Sequence, residues 1–244
     1  MAKKVTPYKN SELGKKEQVT QMFDNISDNY DGLNRVISFG IDVKWRNRVV
    51  NILKAKKPKN ILDIATGTGD LAINLVRTGA DKIIGLDISP GMLEVGKKKI
   101  QKKNLSSTID MIVGDSENLP FETNSFDAVT VAFGVRNFET LEIGLSEIHR
   151  VLRPSGTFVV LETSIPTKTP FKQGYRIYTK YILPPIGRIF SSDDSAYAYL
   201  SESASVFPHG EEFNNILRKI GFIEVENRPQ TMGVASIYVA TKAH

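Results

Sequence analysis

Apolar residues recur along this chain in two alternating rhythms. Val19, Met22, Phe23 and Ile26, then Val49, Val50, Ile52 and Leu53, follow helical spacing and predict helices over 15–29 and 42–55. From residue 60 onwards, short aliphatic runs predict strands at 60–64, 82–87, 108–114, 126–133 and 156–163. Helical patterns fill the intervals at 69–78, 90–103 and 139–152; Pro90 after Ser89 marks a start, and Pro154 after Arg153 an end. A helix at 209–220 and strands at 222–228 and 234–241 close the chain, the last pair reading as a hairpin whose final strand runs against the others. The class this predicts is α/β: a doubly wound, mostly parallel, seven-stranded Rossmann-like sheet with helices on both faces. Between 170 and 203 the strand signal disappears. Phe171, Tyr175, Tyr178, Tyr181, Phe190, Tyr197 and Tyr199 make that stretch aromatic and helix-like, with a break at Leu183-Pro184-Pro185-Ile186-Gly187. Residues 1–14 are polar and expected to be loose.

Composition narrows the chemistry. A chain of 244 residues, 41% of them hydrophobic, can bury one large core. A single domain over 1–244 is expected, with 1–55 as a helical cap and 170–203 as a helical lid within it. The lack of cysteine excludes disulfides, thiolate metal sites and a cysteine nucleophile. His149, His209 and His244 leave little for a histidine-based centre, so no metal is expected. The N-terminus is Lys-rich, and no run of about 20 apolar residues occurs. A cytoplasmic protein is expected, soluble or peripheral on the inner face of the cell membrane; oligomerisation stays open. The net charge of +5 concentrates at Lys54–Lys59 and Lys97–Lys103. Lysines at a helix end suit its dipole and read first as a solvated face, with anionic lipid or nucleic acid as the alternative.

The most informative stretch is Asn60 to Asp70, in which an apolar strand runs into a turn with Gly67 and Gly69. In a dinucleotide-binding G-x-G-x-x-G frame, the three glycine positions would be Ala65, Gly67 and Asp70. A carboxylate where a phosphate docks has the wrong sign: like charges about 4 Å apart repel by roughly 4 kcal/mol at an effective dielectric near 20. A cationic nucleoside without phosphate fits better, and S-adenosylmethionine is the candidate. The ligand of such a sheet sits at the C-terminal strand ends. There Asp63 and Asp87 stand on the first two strands, Asp87 placed to hold ribose hydroxyls. Asp115 and Ser116 follow the third strand, where they could bind an adenine amino group, and Val131 to Asn137 end the fourth. Each acid could instead cap a turn, and Gly67 and Gly69 could simply form one. Asp127 reads as a turn residue. The occurrence of all these features in order is what favours a site.

Longer motifs then carry a resemblance. Met22 to Ser27, Tyr30 to Asn34, Ser38 and Trp45, then Phe133 to Asn137, Arg150 to Gly156, Leu161 to Ser164 and Ser201 to Ala204, together resemble the C-methyltransferases of menaquinone and ubiquinone biosynthesis over nearly the whole chain. Asp42 stands where that family usually has His, and Ser155 where Gly is commoner. The resemblance implies Thr68, Asp87, Asp115 and Ser116 as cofactor contacts, with Gly67 and Gly69 in the turn. It also brings in Ala132, which replaces a Ser of some relatives and keeps only its backbone.

The implied reaction is C-methylation of a polyprenylated quinol, demethylmenaquinol to menaquinol. A ubiquinone-pathway benzoquinol is the alternative, and an RNA or another small molecule a more distant one; a nucleic-acid partner is not expected. Glu162-Thr163-Ser164 and Phe171 to Tyr175 lean toward the naphthoquinol branch. Arg136, with Asn137 beside it, is the candidate for stabilising a phenolate, a surface pair with Glu139 being its plain alternative. Tyr30 joins them as a catalytic candidate, and Asp31 is either a base or a turn cap. His149 reads as structural and His209 as a capping or solvent-exposed residue.

Overall fold

The computed structural model describes residues 5–182 and 194–244. The predicted break at Leu183 to Gly187, Phe190 and the Tyr197 side chain lie outside that description. Three helices come first: α1 (Lys15–Ile26), α2 (Tyr30–Ile37) and α3 (Ile41–Lys56). Strands and helices then alternate as β1 (Asn60–Ile64), α4 (Asp70–Leu75), β2 (Lys82–Asp87), α5 (Pro90–Lys102), β3 (Ile109–Val113), β4 (Phe126–Ala132), α6 (Leu141–Val151) and β5 (Leu152–Thr163). After β5 come α7 (Phe171–Ile177) with a π turn through Ile182, α8 (Asp194–Val206), α9 (Glu211–Ile220), β6 (Phe222–Gln230) and β7 (Ala235–Lys242).

The seven strands lie in the order β3-β2-β1-β4-β5-β7-β6. The strands from β3 to β5 pair in parallel, and β7 runs antiparallel between β5 and β6, as its hairpin pattern predicts. Side chains alternate across this sheet into two cores. Leu62, Val129, Phe158 and Val160 face one layer with α6 and α9, and Ile61, Ala128, Val159 and Leu161 face the other with α3 and α4. Burying each such aliphatic side chain contributes about 1.5–3 kcal/mol. Asp127 ties the far end of the sheet: it accepts the N–H groups of Lys59 and Asn60 at 2.9 and 2.8 Å and pairs with Arg153 at 2.5 Å.

Two local expectations change. The predicted helix over 15–29 stops at Ile26, and the separate α2 follows; of its residues only Leu33 is buried, so its apolar period is too sparse to read. Within the N-terminal 14 residues, Val5 is 7% exposed. It packs with Val19, Met22, Met92, Ala196 and Tyr199 in a third core that joins α1, α5 and α8.

Candidate active site

The C-terminal ends of β1 to β4 converge on a pocket of ≈ 680 Å³. Gly67, Asp87, Asp115, Ser116, Ala132 and Asn137 all line it, together with Phe23 and Tyr30 from the helical cap. Four of the strand-end positions have positive φ: Ala65 (50°), Gly67 (56°), Gly69 (78°) and Phe133 (60°). Non-glycine residues seldom adopt this conformation, and such backbone concentrates where a site needs it. A Cβ on Gly134 would come within 2.4 Å of the Ala65 Cβ, so the ends of β1 and β4 can approach this closely only with glycine there.

Asp87 is the centre of the pocket's chemistry. Its carboxylate is 7% exposed and accepts the Gly67 N–H at 2.7 Å and the Ser89 N–H at 2.9 Å. Burial outweighs these donors and pushes its pKa up to about 6. The Ile88 N–H bonds the carboxylate as well, which leaves one of about four acceptor positions open to a ribose hydroxyl. Asp63 lies beneath the turn, outside the pocket lining. It accepts the Thr130 and Thr66 hydroxyls at 2.5 and 2.6 Å, and burial raises it likewise to about 6. Gly69 precedes α4, its N–H closing the turn onto the Thr66 carbonyl at 2.9 Å. Thr68 also points away from the pocket, donating to Asp31 at 2.6 Å and accepting from Lys99 at 3.1 Å.

The charge argument at Asp70 takes a different form in three dimensions. Its oxygens pair with Lys99 at 2.5 Å and Arg35 at 2.8 Å, so its charge is compensated at the cap. The acids that line the pocket are Asp87, Asp115, Glu117 and Glu139. Asp115 in turn accepts Lys16 Nζ at 2.6 Å, a bond that also raises the Lys16 pKa, and the Glu117 N–H at 2.9 Å. A residue of α1 therefore reaches over the pocket to Asp115. Lys15 adds to this latch by donating to the carbonyls of Arg136 and Phe138.

A second cavity of ≈ 1560 Å³ lies beyond the first, between the cap and α7 and α8. Tyr30 and Phe133 line both, so the two spaces meet at these rings. Trp45, Tyr175 and Leu200 line the larger one, as do Asp42, Arg46 and Arg136. The Arg136 side chain is 7% exposed and pairs with the fully buried Glu162 at 2.6 Å, so it is no surface residue. Its Nη1 also donates to the Phe133 carbonyl at 2.7 Å, and its Nε is buried without an acceptor among the described residues. Burial works against this charge, but Glu162 holds the arginine's pKa above its ordinary value.

The neighbouring residues take distinct places. Asn137 Oδ1 accepts the Tyr199 hydroxyl at 3.1 Å, which ties α8 to the β4 loop. Burial raises the Tyr30 pKa and keeps its phenol protonated. Asp31 lines neither cavity and pairs with Lys99 at 2.8 Å. His149 packs edge-on against Phe222, and His209 bonds at 3.3 Å to the Phe207 carbonyl without capping α9. Asp42 is 2% exposed and held by Arg35, Arg46 and Ser38. Its substitution for a histidine, noted in the sequence, marks a cavity-lining carboxylate that no motif had assigned. Lys16 carries a part of the site that no local pattern had pointed to, and the motifs that contain Phe133 and Glu162 had given those two residues no role. Among the described residues no group of His, Asp and Glu could hold a metal ion.

The fold is that of class I S-adenosylmethionine-dependent methyltransferases. A methyltransferase of this kind from Thermotoga maritima superposes with a TM-score of 0.63 at 19% identity, over 91% of this chain and 99% of that one. Phosphoethanolamine N-methyltransferase 2 of Haemonchus contortus, solved with S-adenosyl-L-methionine, gives 0.56 at 18% identity over 76% of this chain and 49% of its own. Residues 11–242 match the ubiE/COQ5 methyltransferase family, and the chain belongs to it. The demethylmenaquinone methyltransferase of Bacteroides fragilis is 47% identical over 98% of both chains, and that of Porphyromonas gingivalis 41% identical over the same shares. The ubiquinone/menaquinone biosynthesis C-methyltransferase UbiE of Geobacter sulfurreducens is 40% identical over 98% of this chain and 93% of its own. The chain is an S-adenosylmethionine-dependent methyltransferase.

Proposed function

We propose that this chain methylates a ring carbon of demethylmenaquinol, a polyprenylated naphthoquinol, to give menaquinol. The observation that carries the reading is the pair of cavities joined at Tyr30 and Phe133, with the buried Arg136 in the larger one. The names of the most similar relatives point to the same acceptor.

S-adenosylmethionine supplies an electrophilic methyl group and a neutral thioether leaving group. Asp87 and the Gly67 turn would hold its ribose, and Asp115 and Ser116 its adenine end. The rest of the work falls to the chain's own residues. Carbon attack requires the reduced quinol with its hydroxyl ionised, because a quinone ring is electron-poor. Arg136 faces that developing oxyanion with a guanidinium fixed in advance by Glu162 and the Phe133 carbonyl. Tyr30, kept as a phenol, donates a hydrogen bond from the junction. Phe133 and Trp45, tilted together at 6.3 Å between ring centres, wall the ring's path. Such positioning can contribute about 7–11 kcal/mol of rate acceleration. The helices α1 to α3 would hold the cofactor side, and α7 and α8 would wall the prenyl tail. No helix among the described residues is long and apolar enough to cross a membrane.

The test supplies purified protein with S-adenosylmethionine and, in parallel, a reduced demethylnaphthoquinol and a reduced benzoquinol precursor, followed by mass spectrometry. Gain of one methylene on the naphthoquinol is expected. Methylation of the benzoquinol alone would reassign the acceptor, and methylation of neither would sink the reading.

A further inference from the structure

Six large apolar side chains stand exposed on two segments that touch. Phe39 (72% exposed) and Val43 flank the α2–α3 junction; Phe171, Ile177, Tyr181 (62% exposed) and Ile182 lie on α7 and its π turn. Tyr178 joins the segments, its hydroxyl donating to the Ile37 carbonyl at 2.6 Å and its ring lying 6.1 Å from that of Phe39. Over the same stretch Lys168, Lys172, Arg176 and Lys180 recur every fourth residue, all exposed, and residues 168–182 contain no acid. α7 has no fully buried residue: Tyr175 turns to the cavity, while Phe171 and Ile177 stand exposed.

An element that mixes exposed aromatic and aliphatic groups with cations alone suits the boundary of an anionic bilayer, where apolar groups enter the acyl region and lysines reach the head groups. The same segments supply Ile37, Arg176, Tyr178 and Thr179 to the lining of the larger cavity, so that cavity opens on this face. We propose that the face formed by the α2–α3 junction and α7 docks on anionic lipid, with the cavity mouth turned to the membrane. The benefit of that orientation rests on the lipid-substrate reading given above; the docking itself does not.

The experiment is flotation of the full chain with phosphatidylcholine vesicles, with and without phosphatidylglycerol, in the absence of any substrate. Two double variants accompany it, K168Q/K180Q and F39S/Y181S, at positions outside the cavity lining. The unaltered chain should float with the anionic vesicles and be released by salt. A lysine near an anionic surface strengthens binding about fivefold, so the first variant should bind more than tenfold more weakly. The second should bind weakly at any salt. Both should keep the circular dichroism and unfolding midpoint of the unaltered chain, so that lost flotation reports on the face and not on unfolding. Equal flotation of the variants, or equal binding to neutral vesicles, would overturn the proposal. So would light scattering that shows a dimer dissolved by F39S/Y181S, since the face would then belong to a second copy. A chain that floats normally but methylates no quinol would remove the catalytic reading and leave the docking face standing.

Discussion

At the scale of single residues, two buried groups govern the chemistry. Asp87 has a pKa of about 6 against an ordinary 3.8 because burial disfavours its charge. The folded chain therefore binds a proton more readily than the unfolded chain between these values. This contribution to stability is present on the acid side and is lost as pH rises through about 6. Cofactor binding has the opposite sign, since ribose hydroxyls donate to the ionised carboxylate. Calorimetric affinity for S-adenosylmethionine should fall about tenfold from about pH 7 to pH 5. Asp87→Asn should flatten that dependence, while Asp63→Asn, beneath the turn, should keep it. Arg136 is set by its partners: Arg136→Ala should slow turnover by about 10²–10³ and leave cofactor affinity nearly intact. Parallel loss of cofactor binding would place the arginine in the other pocket. The acids at the strand ends could be read from sequence because topology dictates where strand ends point. Glu162 was legible as part of a motif, but its task was not: only the approach of Arg136, 26 residues away, gives it one.

The cap is bound to the sheet domain by charge at the scale of elements. Asp31 and Asp70 share Lys99, Arg35 bridges Asp70 to Asp42, and Asp42 holds Arg46. These pairs join α2 and α3 to α4 and α5. Asp42→Ala would strand the buried Arg46 without its partner, and the expected loss is about 3–5 kcal/mol in denaturant unfolding. A change within a few tenths would mean that water compensates the guanidinium. The wall made by α7 has no fully buried residue, so its backbone should be open to protease. Cleavage within 171–182 should slow when S-adenosylmethionine and a quinol analogue are both present. An unchanged rate would argue against closure over the substrate. Aromatic spacing announced this segment, but not its role, because core helices show the same period.

For the whole molecule, cofactor binding and folding are linked, because the pocket is assembled from four strand ends and the helical cap. S-adenosylmethionine at about a hundred times its dissociation constant should stabilise the fold by roughly 2.7 kcal/mol, seen as a raised Tm. NADH should produce no such shift, and a shift of similar size would contradict the ribose-and-adenine assignment. The sequence alone determined the doubly wound α/β class, the antiparallel closing strand, the glycine turn and the acids beside it. These follow from periodicity and turn chemistry, which act over a few residues, and from the rule that parallel strands present one set of ends. Tertiary structure alone decided which acids line the pocket. Lys16 meets Asp115 across 99 residues, Asp70 turns to Lys99 and Arg35, and Asp42 enters a cavity. Such pairings depend on how the helices of the cap lie on the sheet. A charge's partner is chosen by distance in space, and no local pattern along the chain records it.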